Sequence, residues 1–160
     1  MLEIREIEAE GPDLETFREF LQEYQSYLGI DLCFQNFQKE LANPLGRYTP
    51  PKGIVMLAHW NGEVAACGAL QDLGEGNCEL KRIYVRPDFR RKGIARSVSE
   101  YLMRRAEEIG YRAARLDTLK RLEGALELYR SLGFSEIAPY NVAPEPDIVY
   151  MERALGAPAP

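Results

Sequence analysis

Arg90-Arg91-Lys92-Gly93-Ile94-Ala95 gathers three cations and a glycine where an apolar strand gives way to an amphipathic helix. From Ile94 onward, Val98, Tyr101, Leu102, Ala106 and Ile109 recur at helical spacing, and Gly110 supplies a C-terminal stop. The first N–H groups of such a helix have no partner and sit at the positive end of its dipole. With cations just ahead of them, they form a cradle for phosphate. Upstream, Cys78-Glu79-Leu80-Lys81-Arg82-Ile83-Tyr84-Val85 is rich in strand formers, and Pro87, which brings no ladder N–H, ends it.

The surroundings narrow the anion. A formal charge of −5 over 160 residues argues against a general nucleic-acid binder, so the basic turn is a local exception suited to a small polyanion. Cys33, Cys67 and Cys78 are an odd set without metal-ligand or redox spacing, which fits reduced thiols in the cytoplasm and no metal. Met1-Leu2-Glu3-Ile4-Arg5-Glu6 lacks a basic-then-apolar signal pattern, and no apolar run approaches membrane-spanning length. The G-x-x-x-x-G-K-[ST] and G-x-G-x-x-G loops of other nucleotide-binding enzymes are absent.

The elements that must hold the cradle can be read in order. Leu2, Ile4 and Ile7 suggest a half-exposed first strand. A helix capped by Asp13 follows, its stripe of Leu14, Phe17, Leu21, Tyr24 and Leu28 ending at Gly29. A shorter helix is expected around Phe34, Phe37 and Leu41, and Asn43 to Gly53, with three prolines, reads as an irregular loop. Asn61-Gly62 between Ile54–Trp60 and Glu63–Leu73 is a hairpin signal; Gly74-Glu75-Gly76-Asn77 turns the chain into the Cys78 strand and completes an antiparallel meander. Ala113 to Thr118 reads as a strand. Leu122, Ala125, Leu126, Tyr129 and Leu132 mark a helix closed by Gly133, and Phe134–Ile137 and Ile148–Met151 are the last strands. The order is α+β, one domain over 1–155, with 156–160 expected to be a disordered tail.

Two segments make the chain resemble the GNAT superfamily of acyl-CoA-dependent N-acyltransferases. Arg90 to Ala95 matches that family's R/Q-x-x-G-x-G/A pyrophosphate loop, and Ala125-Leu126-Glu127-Leu128-Tyr129-Arg130-Ser131-Leu132-Gly133-Phe134 is similar to its A-x-x-L-Y-x-x-x-G-F segment. Leu122 departs from the pattern, standing where many members carry asparagine. The resemblance implies a three-layer fold with a mixed, mostly antiparallel central sheet and helices on both faces. It also implies acetyl-CoA as co-substrate and a small-molecule or peptide amine as acceptor, with neither nucleic acid nor membrane as partner. The chain could act alone or as a homodimer.

On that resemblance, N–H groups from Arg91 to Arg96 surround the pyrophosphate, with Arg90, Arg91 and Lys92 adding charge and Gly93, Ile94 and Ala95 giving close approach. The strand end Ile83-Tyr84-Val85 splays from the Ala113 strand, pairs with the pantetheine arm, and polarises the thioester through an N–H near Tyr84 or Val85. A lysine-like amine is about 99.9% protonated at neutral pH, so some group must take its proton. Glu79 is the candidate base, standing where some members carry a catalytic glutamate; the alternative is an ion pair with Lys81 or Arg82. Tyr129 stands where members protonate the departing thiolate; the alternative is a core tyrosine. His59, the only histidine, reads as a surface or packing residue. Asp117 and Thr118, ending a strand that faces the cleft, could orient the acceptor or cap a turn. No cysteine stands beside either motif, which favours direct transfer in a ternary complex. A non-catalytic acyl-CoA-binding module is the competing function.

Overall fold

In the computed structural model, which describes residues 1–29, 36–141 and 146–156, seven strands form one sheet with helices packed on it. The elements in chain order are β1 (Leu2–Glu6), α1 (Pro12–Leu28), α2 (Phe37–Ala42), α3 (Pro44–Arg47), β2 (Ile54–Trp60), β3 (Glu63–Gly74) and β4 (Asn77–Val85). They continue with α4 (Ile94–Ile109), β5 (Ala113–Leu119), α5 (Glu123–Ser131), β6 (Ser135–Ile137) and β7 (Ile148–Ala154). The sheet order is β1-β2-β3-β4-β5-β7-β6. Every neighbouring pair is antiparallel except β4 and β5. The α+β class and the layered architecture expected from the sequence are what the chain adopts.

Helices cover both faces and define two cores. Ile94, Val98, Leu102 and Ala106 of α4, with Leu126 and Tyr129 of α5, pack on Met56, Ala66 and Leu80. On the other face, Leu14, Phe17, Phe20 and Leu21 of α1 and Phe37 of α2 pack on Val55, Leu57, Cys67 and Tyr84. The hairpin at Asn61-Gly62 forms because both residues take positive φ, at 50° and 87°, which matches the twist of the strands they join.

Two features of β4 shape everything that follows. First, its pairing with β5 is brief, covering only Asn77↔Ala113, Cys78↔Ala114 and Glu79↔Arg115. Beyond that point β4 stays with β3 and β5 stays with β7, so the sheet opens into a wedge. Second, β4 carries a bulge at Arg82. Lys81 pairs with Ala69 and Tyr84 with Cys67, so the register shifts between them, and Arg82 has φ of 60°. An extra residue reverses side-chain parity. Cys78 and Leu80 face the α4 side before the bulge, and Ile83 and Val85 face it afterwards.

Several local expectations need correction. Asp13 lies in the first turn of α1, where its charge suits the dipole, but it does not cap the helix; Gly11 is the N-cap and Pro12 fills the first turn. Asn43 to Gly53 is not wholly irregular: Pro44–Arg47 makes one helical turn, capped by the Asn43 side chain accepting from the Gly46 N–H at 3.2 Å. β7 runs on to Ala154, because each of its residues pairs with β5. Gly156, assigned to the tail, donates its N–H to Glu107 Oε1 at 3.2 Å; the remainder of the tail, like Phe34 and Cys33, lies outside the described residues. No helix among the described residues is long and apolar enough to cross a membrane.

Candidate active site in the β4–β5 wedge

The wedge holds a cavity of about 450 Å³, within the usual range for small-ligand sites. At one end the chain leaves β4 through Pro87 and enters α4 at Gly93, the N-cap, with φ of 74°; Arg91 also has positive φ, at 64°. The N–H groups of Arg91 through Arg96 make no hydrogen bond within the described residues, the first helical bond being Ser97 N–H to Gly93 O at 3.1 Å. Of these, Arg91, Gly93, Ile94, Ala95 and Arg96 stand at the cavity, as expected of a helix start without a side-chain cap. A Cβ built at Gly93 would meet nothing within 4 Å, so the space above this turn is open.

The cations around the cradle divide. Arg90 is held in place, donating through Nε to Val85 O at 3.2 Å and lying over the Tyr27 ring at 4.7 Å. Arg96 donates to Ser131 Oγ at 2.7 Å. Both line the cavity, as do Arg91, Gly93, Ile94 and Ala95. Lys92 does not: its ammonium sits over Trp60 at 5.5 Å, in a neighbouring groove. Its grouping with Arg90 and Arg91 by sequence adjacency fails because the turn rotates successive side chains to different sides.

Along the wall, Ile83, Tyr84 and Val85 line the cavity. Arg86 N–H donates to Ala65 O at 2.9 Å across the β3 ladder. Alternation therefore turns the Tyr84 N–H toward β3 and the Val85 N–H toward the wedge. Tyr84 packs its ring against Tyr24 and Tyr27, with centroids at 5.9 and 5.6 Å. The bulge that sets this phase is clamped from α2. Glu40, buried, accepts from Arg82 Nε at 3.0 Å and from a terminal guanidinium nitrogen at 2.8 Å. The same carboxylate accepts from Arg47 at 2.6 Å and from the Tyr48 hydroxyl at 2.8 Å.

Tyr129 reaches the cavity from α5, its ring edge-on to Phe134 at 5.9 Å. Burial pushes its phenol up to about 12, with Ser99 acting in the opposite sense and the Asp117 charge adding to the rise. Leu122, in place of the asparagine of the resembled pattern, is the N-cap of α5 without a side-chain bond and presents an apolar surface to the cavity.

Glu79 is not among the lining residues. It is buried behind Lys81, whose Nζ lies 3.6 Å from Glu79 Oε1, while Tyr140 donates its hydroxyl to Oε2 at 2.5 Å. Glu79 thus makes the ion pair with Lys81 that was the alternative to a base. Lys81 itself lines the cavity, a placement not anticipated from the sequence. Burial pulls its ammonium down, against the opposing charges of Glu79 and Asp117. His59 is a buried strand residue remote from the cavity, as a packing residue would be. Asp117 and Thr118 both line the cavity.

Comparison with known proteins agrees with this geometry. The sequence model of the acetyltransferase (GNAT) family matches residues 14–134. An uncharacterized N-acetyltransferase of Schizosaccharomyces pombe is 41% identical over 145 residues, covering 89% of this chain and 89% of the relative. Among solved structures, a GNAT-family acetyltransferase from Staphylococcus aureus superposes with a TM-score of 0.77 at 23% identity, over 96% of this chain and 100% of that one. The PaiA N-acetyltransferase of Thermoplasma acidophilum, solved in complex with coenzyme A, gives 0.74 at 19% identity over 96% and 99%.

Proposed function

The chain belongs to the acetyltransferase (GNAT) family, and from that membership we propose that it moves an acetyl group from acetyl-CoA directly to the primary amine of a small cytoplasmic molecule. As a family member it is an acetyl-CoA-dependent acyltransferase; the direct route, the kind of acceptor and the residue roles are our reading. The observation that carries it is the run of unpaired N–H groups from Arg91 to Arg96, which opens onto the same cavity as the free edge of β4 and Tyr129.

The pyrophosphate of the cofactor binds those N–H groups, with Arg90, Arg91 and Arg96 supplying charge around it. The helix dipole contributes roughly 0.3–1 kcal/mol, so the hydrogen bonds dominate. The pantetheine arm lies along the edge of β4 that β5 has left unpaired, in the manner of an added strand. Its thioester carbonyl then meets the Val85 N–H, a donor already fixed by the ladder on its other side. The amine nitrogen attacks the carbonyl carbon; the C–N bond forms, the oxyanion is held by Val85 N–H, and the C–S bond breaks as the oxyanion collapses. One proton leaves the nitrogen and one is taken up by sulfur, giving an amide and free CoA.

Tyr129 faces the sulfur as a hydrogen-bond donor. With its phenol near 12 and a thiol near 8.5, complete transfer would cost about 5 kcal/mol, so its part is to stabilise the thiolate without surrendering the proton. Glu79 acts at one remove, through Lys81 and Tyr140. Cys67 and Cys78 are both buried, and burial pushes the Cys78 thiol up to about 12, which supports transfer without an acyl-cysteine. A cleft of about 450 Å³ suits a small acceptor.

The test is thiol release from acetyl-CoA across a panel of small amines, alongside calorimetric titration with CoA, ATP and NAD. CoA is expected to bind, ATP and NAD to fail, and at least one amine to raise thiol release above background. Tight CoA binding with background release across every amine would sink the acyl-transfer reading in favour of a CoA-binding module.

A further inference from the structure

Among the described residues Asp117 is the only carboxylate that lines the cavity, which otherwise carries Lys81, Arg82, Arg90, Arg91 and Arg96. Its Oδ2 is buried and makes no hydrogen bond. A buried carboxylate oxygen without a partner is costly to keep, so a site that retains one is built for a donor that arrives later. Asp117 stands on β5 across the wedge from β4, beyond the last β4–β5 rung at Glu79 and Arg115.

The neighbouring charges are already matched. Lys81 lies against Glu79, Arg82 is held by Glu40 on two hydrogen bonds, and Arg115 donates to Glu152 at 2.8 Å. Tyr24, Tyr129, Tyr140 and Tyr150 surround the carboxylate closely enough for its charge to raise each phenol, though burial is the larger cause for all four. Among the described residues, Glu79, Lys81 and Asp117 together leave this corner one net negative charge.

Resting on the reading that the acceptor meets the thioester in this wedge, we propose that Asp117 is the seat of the acceptor's ammonium group and that the acceptors are alkylamines that arrive positively charged. Oδ2 takes one ammonium N–H in a charge-assisted hydrogen bond. Passing that proton from nitrogen to Oδ2 turns carboxylate and ammonium into carboxylic acid and free amine. The ammonium ordinarily holds its proton more tightly than a carboxylate does, so the transfer completes only as the C–N bond forms. Arylamines and amides, which carry no charge at neutral pH, have nothing to offer this oxygen beyond a weak donor.

NMR titration of n-alkylammonium chlorides, propyl to hexyl, and of the matching n-alkanols into wild type and D117N decides it, with and without CoA. In wild type the amines are expected to bind about tenfold or more tightly than alcohols of equal length. D117N should remove that preference while leaving alcohol and CoA affinities within about twofold. An amine preference that persists in D117N, or none in wild type, overturns the assignment. Should D117N fail to fold, a crystal of wild type with hexylammonium replaces it: nitrogen at about 3 Å from Oδ2 supports the seat, and nitrogen elsewhere refutes it. Failure of CoA to bind would defeat the acetyl-transfer reading instead, and the CoA-free titration would still decide the role of Asp117.

Discussion

At one end of the cleft, six main-chain N–H groups from Arg91 to Arg96 face open space. At the other, Arg82 is held by Glu40, and Glu79 by Lys81 and Tyr140, through side chains brought from one helix, one strand and a late loop. The first is a local structure that any chain can form with a glycine at the right helix start. The second exists only when residues 42 or 61 positions apart in sequence meet. The former rests on main-chain geometry alone, and the latter on which side chains the fold brings together.

The largest effect that would sharpen this contrast is on the buried end. Glu40→Ala leaves the Arg82 guanidinium without its carboxylate and should cost about 3–5 kcal/mol in chemical denaturation, whereas a loss under about 1 kcal/mol would mean the bulge holds itself. The pH dependence carries the same signature. Burial alone would raise the Glu40 carboxyl, but the Arg82 hydrogen bond and charge bring it below its ordinary 4.5. A lowered carboxyl stabilises the fold above its unfolded value and loses that contribution as pH falls below it. Glu40→Gln should therefore flatten the acid side of the stability curve below pH 4.5 relative to wild type.

At the main-chain end, Gly93→Glu adds a side chain and a negative charge to the open space, at a φ that L residues resist. CoA affinity should fall about a hundredfold, near 3 kcal/mol, with far less change in melting temperature than Glu40→Ala. Equal damage to binding and stability would erase the distinction between the two ends. Tyr129→Phe should lower kcat by about 10- to 100-fold with KM for acetyl-CoA unchanged. Because the phenol sits near 12, wild type should show no fall in rate from its ionisation up to about pH 10. The smallest effect is Gly68→Ala, opposite the bulge, where a methyl would meet Met56 Sδ at 2.9 Å and Val98 Cγ1 at 3.1 Å. It should destabilise by about 1–2 kcal/mol and leave CoA affinity alone.

What could be read in the sequence follows the same division. The cradle, the Asn61-Gly62 hairpin and the stops at Gly29 and Gly110 are legible because glycine and helical spacing act within a few residues. The Arg82 bulge was not, since an arginine with positive φ carries no local sign and is set by its tie to Glu40. Glu79 is legible as a carboxylate on the strand leading into the cradle, but strand alternation alone could not say that Lys81, and not Glu79, would line the cavity. Lys92 shows the limit of reading charge by adjacency, for its ammonium settles on Trp60. Asp117 was visible as a strand-end carboxylate, yet its missing partner is a property of three dimensions.

The brevity of the β4–β5 ladder has a further consequence. Only three rungs join β4 to β5, and side-chain bonds such as Tyr140 to Glu79 and Arg96 to Ser131 supplement them. Thr118 and Leu122, half-buried on the far bank of that gap, can be exchanged for larger or smaller side chains with less debt to folding than the buried Leu116 beside them. An opening lined by such half-buried residues can change shape through a few substitutions while the helix start at Gly93 stays as it is.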